Sequence, residues 1–157
     1  MIFTFSDVYG YKVKFSTDFH PFSSSPQHVL VIVYSPSGWV MTKHKKRGLE
    51  FPGGKLEKGE TIEKAAVREV WEETGAVIKK LHYIGQYSVD NQHNPFVKDI
   101  YFAKAESLED KKDYLETNGP TILKQLPQEF DEEKYSFIMR DEVVKLSLQV
   151  IKEKQLI

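Results

Sequence analysis

The sequence predicts an α/β fold, a mixed β-sheet with helices on its faces, built as one domain over residues 1–157. Three observations carry this. The continuous apolar run HVLVIVY, residues 28–34, suits a central strand covered on both sides. Residues 61–74 have helical composition with no Gly or Pro. Residues 141–154 place Val143, Val144, Leu146, Leu148, Val150 and Ile151 on one apolar side of a second helix. The resulting order is strands, helix, strands, helix, and a helix on each face of the sheet would bury both.

Along the chain, residues 2–15 are rich in Phe, Tyr and Val, and Asp7 to Gly10 could fold them into a hairpin. Serines and two prolines make residues 18–27 a loop. A second hairpin pairs 28–34 with 39–45 across a turn at 35–38, and its outgoing strand becomes basic at Lys43–Arg47. The segment GLEFPGGKLEKGE reads as loop, where Gly53 and Gly54 ask for backbone that a side chain would obstruct. Thr61 is the expected N-cap of the first helix and Gly75 its C′ residue. Strands are expected at 77–89 and 96–105, with SVDNQHNP between them. Residues 106–120 look charged and irregular, and LPQEFDEEKYSF has no clear assignment.

Composition narrows the function classes. With 22 basic and 23 acidic residues the net charge is -1, unlike the basic balance of a general nucleic-acid binder. There is no cysteine, so disulfides, thiolate metal sites and a cysteine nucleophile are excluded. The first fifteen residues lack a basic segment followed by an apolar one, and no apolar run is long enough to span a bilayer. The expected compartment is the cytoplasm, with no membrane partner.

The chemistry concentrates in GGKLEKGETIEKAAVREVWEETG, residues 53–75. Residues three and four apart share a helix face, so Glu69 neighbours both Glu72 and Glu73, while Ala66, Val67 and Val70 turn toward the sheet. Like charges so placed cost roughly 0.2–0.5 kcal/mol per exposed pair, and burial raises the cost or the pKa. A hard divalent cation, magnesium or manganese, removes the penalty. Arg68 could hold Glu72 or Glu60. Lys55 could meet a phosphate, and a free carbonyl at Gly53 or Gly54 could be a further ligand. Taken alone, three glutamates on a helix more often mark a solvated face.

Read from Gly54, the segment is G, five residues, Glu60, seven residues, then REVWEETGA, residues 68–76. This resembles the Nudix box, Gx5Ex7REUxEExGU, at every fixed position. Ala76 is smaller than the usual final aliphatic. The resemblance implies a Nudix-type α/β/α sandwich and MutT-like hydrolysis of a phosphoanhydride at the β-phosphorus, giving a nucleoside monophosphate and pyrophosphate. It implies that Glu69 and Glu73 bind metal, and that Glu72 is a further ligand or the group acting on the attacking water. It makes Glu60 an orienting partner of Arg68, the Gly53 carbonyl a backbone ligand, Lys55 a phosphate contact and Phe51 an aromatic near the base. The implied substrates are nucleoside triphosphates (dGTP, GTP or 8-oxo-dGTP), with 5′-triphosphorylated RNA ends as the alternative. A catalytically silent nucleotide-binding module is the rival of another class, and the complete glutamate set speaks against it. One more carboxylate is expected outside the box, with Asp99, Glu106 and Glu129 as candidates.

For the base pocket, Phe51, Tyr87, Asn91, Asn94, Phe96 and Phe130 are the candidates. The run KHKKR, residues 43–47, is either a solvated strand end or a phosphate-attracting rim, with His44 exposed within it.

Overall fold

The computed structural model describes residues 1–157. Its strands are β1 (Ile2–Ser6), β2 (Lys12–Ser16), β3 (His28–Ser35), β4 (Gly38–His44), β5 (Gly48–Glu50), β6 (Gly53–Lys55), β7 (Ala76–Val77), β8 (Leu81–Asp90), β9 (Phe96–Lys104), β10 (Ser107–Leu108) and β11 (Thr117–Leu123). Helix α1 is Ile62–Thr74 and α2 is Glu142–Glu153. The main sheet runs β1-β2-β8-β9-β3-β4-β11, with β5 paired to β4 and β6 to β3. Only β3 and β9 pair in parallel, so the sheet is mixed, as expected.

The apolar run of β3 serves two cores. Val29, Val31 and Val33 face α1, packed with Ile62, Ala65, Ala66 and Val70. Leu30 and Ile32 face α2, packed with Val143, Val144 and Ile151. Alternation of side chains along a strand makes both faces apolar at once, which is why the run shows no polar interruption. Val67, expected to pack on the sheet, lies 36% exposed; the buried set is shifted one residue, to Ala65, Ala66 and Val70.

The local signals hold at both helices. Thr61 accepts from the Lys64 amide, and Gly75, at φ 75°, donates its N–H to the Trp71 carbonyl. Asp141 caps α2 by accepting from Val143 N–H. The first hairpin forms around Asp7, whose carboxylate accepts from Tyr9 and Tyr11.

Other expectations need correction. The β3–β4 hairpin pairs only from Val33↔Val40 to Ser35↔Gly38, because the first half of that edge of β3 is taken by β6. The presumed loop at 48–55 contains β5 and β6. The segment 106–120, read as irregular, begins β11, which pairs with β4 through a register shift between Thr117 and Pro120. In the unassigned segment, Tyr135 is buried, and a 3-10 turn follows at Phe137–Met139. No helix is long and apolar enough to cross a membrane.

Candidate active site

Helix α1 and strand β6 are joined by one guanidinium. Arg68 donates from Nε and Nη2 to Glu60 at 2.7 and 2.9 Å, and from Nη1 to Glu69 at 2.7 Å and Glu72 at 3.2 Å. Nη2 also donates to the Lys55 carbonyl at 3.0 Å, which ties the glycine turn to the helix. Of the two partners expected for Arg68, it holds both. Its hydrogen bond holds the Glu60 carboxyl below the usual range. At Glu69, burial raises the pKa more than Arg68 lowers it.

Glu73 is different. It is 7% exposed, and its carboxylate accepts from Gly53 N–H at 2.9 Å. Burial pushes its pKa up to about 8, against the lowering effect of that hydrogen bond, with Glu69 and Glu50 adding repulsion. The end of α1 is fixed from two strands and a loop. Thr42 and Thr117 donate to the Glu73 carbonyl at 3.0 and 3.1 Å, and Lys111 Nζ donates to the carbonyls of Trp71 and Glu72 at 2.9 and 3.0 Å. These bonds satisfy the last orphan carbonyls of the helix and so fix where Glu72 and Glu73 project.

The ladder explains Gly53. Val31 N–H donates to Pro52 and Leu56 N–H to Gln27, in the same register that sets Gly53 opposite Leu30. Hydrogen-bonded pairs alternate along antiparallel strands, so Gly53 occupies the intervening pair and turns its N–H and C=O away from β3. The N–H goes to Glu73, and the carbonyl shares that side. A Cβ at Gly53 would strike the Val29 carbonyl. A Cβ at Gly54 would lie 2.5 Å from the Glu69 carboxyl carbon.

No three acidic or imidazole side chains converge closely enough to chelate an ion as arranged, because Glu69 and Glu72 turn to Arg68. The donor set nevertheless suits a hard cation. It offers Glu69, Glu73, Glu72 and the Gly53 carbonyl, all oxygen, with Glu73 buried and without an ion pair within 4.0 Å, although Arg47 acts on it from farther off. A bound ion would compete with Arg68 for Glu69 and Glu72.

On the other side of the glycine pair lies a cavity of about 360 Å³, lined among others by His28, Phe51, Asn94, Phe96, Lys98 and Phe137. It opens against a second, of about 560 Å³, which shares His28, Asn94 and Phe96 and adds Lys12 and Lys14. His28 is held neutral, its pKa lowered to about 4 by burial and by the charges of Lys98 and Lys55.

Of the six base-pocket candidates, Phe51, Asn94 and Phe96 line the first cavity, although Phe51 is only 1% exposed. Tyr87 and Phe130 are core residues, and Asn91 uses its side chain to close a turn onto His93. Lys55 has an exposed side chain at the site's edge. Each of the three carboxylates expected outside the box has partners elsewhere. Asp99 is fully buried and bound to His20, Gln86 and Tyr101; Glu106 pairs with Lys79, and Glu129 with Lys145. The carboxylates whose charge reaches Glu69 and Glu73 are Glu116 and Glu50, respectively. Glu50 was missed because its role depends on Arg47, which binds it at 2.7 and 3.2 Å. His44, expected exposed, is 9% exposed; its Nδ1 accepts from the Lys46 and Arg47 amides, closing the turn. Lys43, Lys45 and Lys46 are exposed, as either reading of the basic run requires.

A model of the NUDIX domain matches residues 25–152. The chain is 48% identical over 153 residues to YtkD of Bacillus subtilis (strain 168), provisionally named an 8-oxo-dGTP diphosphatase, covering 97% of both proteins. It is 36% identical over 89 residues to the oxidized purine nucleoside triphosphate hydrolase of Mus musculus, which is 54% of this chain and 56% of that one. A crystal structure of a mutant Bacillus subtilis pyrophosphohydrolase, BsRppH, superposes with a TM-score of 0.93 at 47% identity over 97% of each chain.

Two predictions test this geometry. Gly54→Ala should fold, since its Cβ meets a movable side chain, but should displace Glu69 and lower kcat by roughly a hundredfold, the scale of an ångström-level misplacement. Unchanged kcat would show that Glu69 need not sit there. Separately, with the folded pKa of Glu73 at about 8 and its ordinary value at 4.5, the folded chain holds a proton that the unfolded chain releases between those values. This contribution is fully present below the lower value and is lost as pH rises through the upper one. Metal-free thermal melts should therefore show the parent losing Tm relative to Glu73→Gln as pH rises across that window. A parent that gains on the variant would refute the burial effect.

Proposed function

The chain belongs to the NUDIX family of hydrolases and is a nucleotide pyrophosphohydrolase; from that premise we propose that it cleaves dGTP, GTP or 8-oxo-dGTP to nucleoside monophosphate and pyrophosphate, clearing the cytoplasmic nucleotide pool. The observation that carries this reading is the glycine pair with carboxylates on one side and an aromatic-lined cavity on the other. That arrangement suits a substrate with an anhydride at one end and a base at the other. The printed activities of YtkD and of the mouse relative support it.

Glu69, Glu73 and the Gly53 carbonyl are the oxygens that would hold magnesium or manganese. Bound there, the cation neutralises phosphoryl charge and acidifies a water molecule. The water oxygen bonds to the β-phosphorus, and the bond from that phosphorus to the α–β bridging oxygen breaks. The nucleoside monophosphate leaves with the electron pair. Glu72 is best placed to take the water's proton, since its carboxylate is the most exposed of the three, at 26% for the side chain, and has one hydrogen bond of 3.2 Å to Arg68. Glu69 is held at 2.7 Å by Arg68 and Glu73 is fixed by Gly53. Arg68 and Glu60 keep the cluster in register, and Lys55 sits where it can meet a phosphate.

A second reading has an observation of its own. The Lys12 and Lys14 cavity continues from the base cavity through His28, Asn94 and Phe96, offering room for the next nucleotide of a 5′-triphosphorylated RNA. BsRppH, named a pyrophosphohydrolase, adds weight to it.

The test is a panel of dGTP, 8-oxo-dGTP, GTP, ADP-ribose and 5′-triphosphorylated RNA, with magnesium and with manganese, and with products identified. Glu73→Gln should fold normally and lose roughly a hundredfold or more in kcat, while Glu60→Gln should lose less. Near-normal turnover by Glu73→Gln in saturating magnesium would contradict the assignment. If RNA is the substrate, kcat/KM should fall steeply with salt and depend on Lys12 and Lys14. A shallow salt response equal to that of free dGTP would remove the RNA reading.

A further inference from the structure

Lys98 lies on β9 between His28 of β3 and Tyr87 of β8, and its side chain lines the base cavity. Its ammonium sits 5.6 Å from the Phe96 ring centroid and 5.8 Å from that of Tyr87. It donates no hydrogen bond to the protein and has no carboxylate within 4.0 Å, although Glu50 and Asp141 are near enough to act on it electrostatically. Its three donors have no acceptor in the fold, and the aromatic faces and nearby acids offset only part of the cost of drawing an ammonium out of water. Phe96, Phe137 and the neutral His28 supply flat and apolar surface around it.

The acceptor missing from Lys98 has a definable chemistry. Arg47, the other cation lining this cavity, is consumed by Glu50 at 2.7 and 3.2 Å, so Lys98 is the cation left to meet an acceptor, and the aromatic walls favour a flat one over a phosphate. A neutral acceptor on a flat ring meets both the ammonium and the walls. Guanine presents two such acceptors side by side, O6 and N7, whereas adenine replaces O6 with an amino donor. We propose that Lys98 is the specificity-determining residue that selects a 6-oxo purine over a 6-amino purine by donating to O6, and also to N7 where the ring is not oxidised at C8. This rests on the nucleotide reading of the site and names the base that the cavity takes.

The experiment separates the inference from the reading beneath it. Binding of GMP, IMP and AMP to the metal-free protein is measured by titration calorimetry, which requires no turnover. GMP and IMP share O6 and N7 but differ in the 2-amino group. Both should bind better than AMP by roughly tenfold or more. Lys98→Met keeps the length of the side chain and removes the donors. It should bring all three affinities together by weakening GMP and IMP alone, with Tm held. Lys98→Arg should retain part of the preference, since it keeps donors at that position. If Lys98→Met weakened all three equally, the cation would be serving the phosphate or the fold. If the parent bound IMP no better than AMP, or bound none of the three, the proposal would also be overturned. Failure of the substrate panel with this binding preference intact would instead count against the proposed reaction.

Discussion

Repulsion among carboxylates is the constraint on which the site rests, and Arg68 is what contains it. Glu60, Glu69 and Glu72 all meet one guanidinium, and Glu57 lies 3.5 Å from it. Each acid alone on an exposed helix would cost its neighbours a few tenths of a kcal/mol. Partly buried, as here, the cluster would push α1 away from the glycine turn. Arg68 prevents this with five donors in one plane, and because one of them reaches the Lys55 carbonyl, the same group that quiets the charges also docks β6 on the helix. Lysine could not make that fork. Glu73 escapes the arrangement. It is held by a backbone amide alone, and its raised pKa records how little compensates its charge.

Legibility in the sequence divides along the same line. Everything fixed by local rules was readable. Thr61 and Gly75 have the capping preferences that bound α1, residues 68, 69, 72 and 73 share a face by the helical repeat, and β3 announces itself by an unbroken apolar run. What was not readable depends on strand neighbours distant in the chain. Glu50 becomes part of the site through the turn that Arg47 and His44 close. Glu116 reaches Glu69 because the segment around it returns along β4 as β11. Asp99, a reasonable candidate by residue type, points to the α1 face and is consumed by His20, Gln86 and Tyr101.

Lys98 shows the same limit more sharply. In the sequence FVKDIYF it looks like one of two adjacent polar residues interrupting a strand. Alternation puts Phe96, Lys98, Ile100 and Phe102 on one face, so a lysine appears among residues that are otherwise core. The oddity is visible only when β3 and β8 flank it and no acid of either strand answers it. The apolar positions of a pattern declare themselves by repetition, whereas a buried charge is identified by what surrounds it.

The two ends of the site are opposites in charge, and this gives the substrate a direction. Around Glu69, Glu72 and Glu73 there is an excess of anionic oxygen, so this end accepts phosphates only in company with cations. At the far end Arg47 is paired with Glu50, and the Lys98 ammonium has no hydrogen-bond partner among aromatic and apolar walls, so a neutral carbonyl gains a charge-assisted hydrogen bond there. Gly53 and Gly54 stand between, thin enough for the Glu69 carboxyl to press against backbone on one side while the cavity opens on the other. A molecule entering base-first at the carboxylates would set an uncharged ring against the Arg68–carboxylate cluster and leave Lys98 unanswered. Entering with the base toward Lys98, it satisfies both ends at once, so the orientation that places an anhydride beside Glu72 is also the one the charges favour.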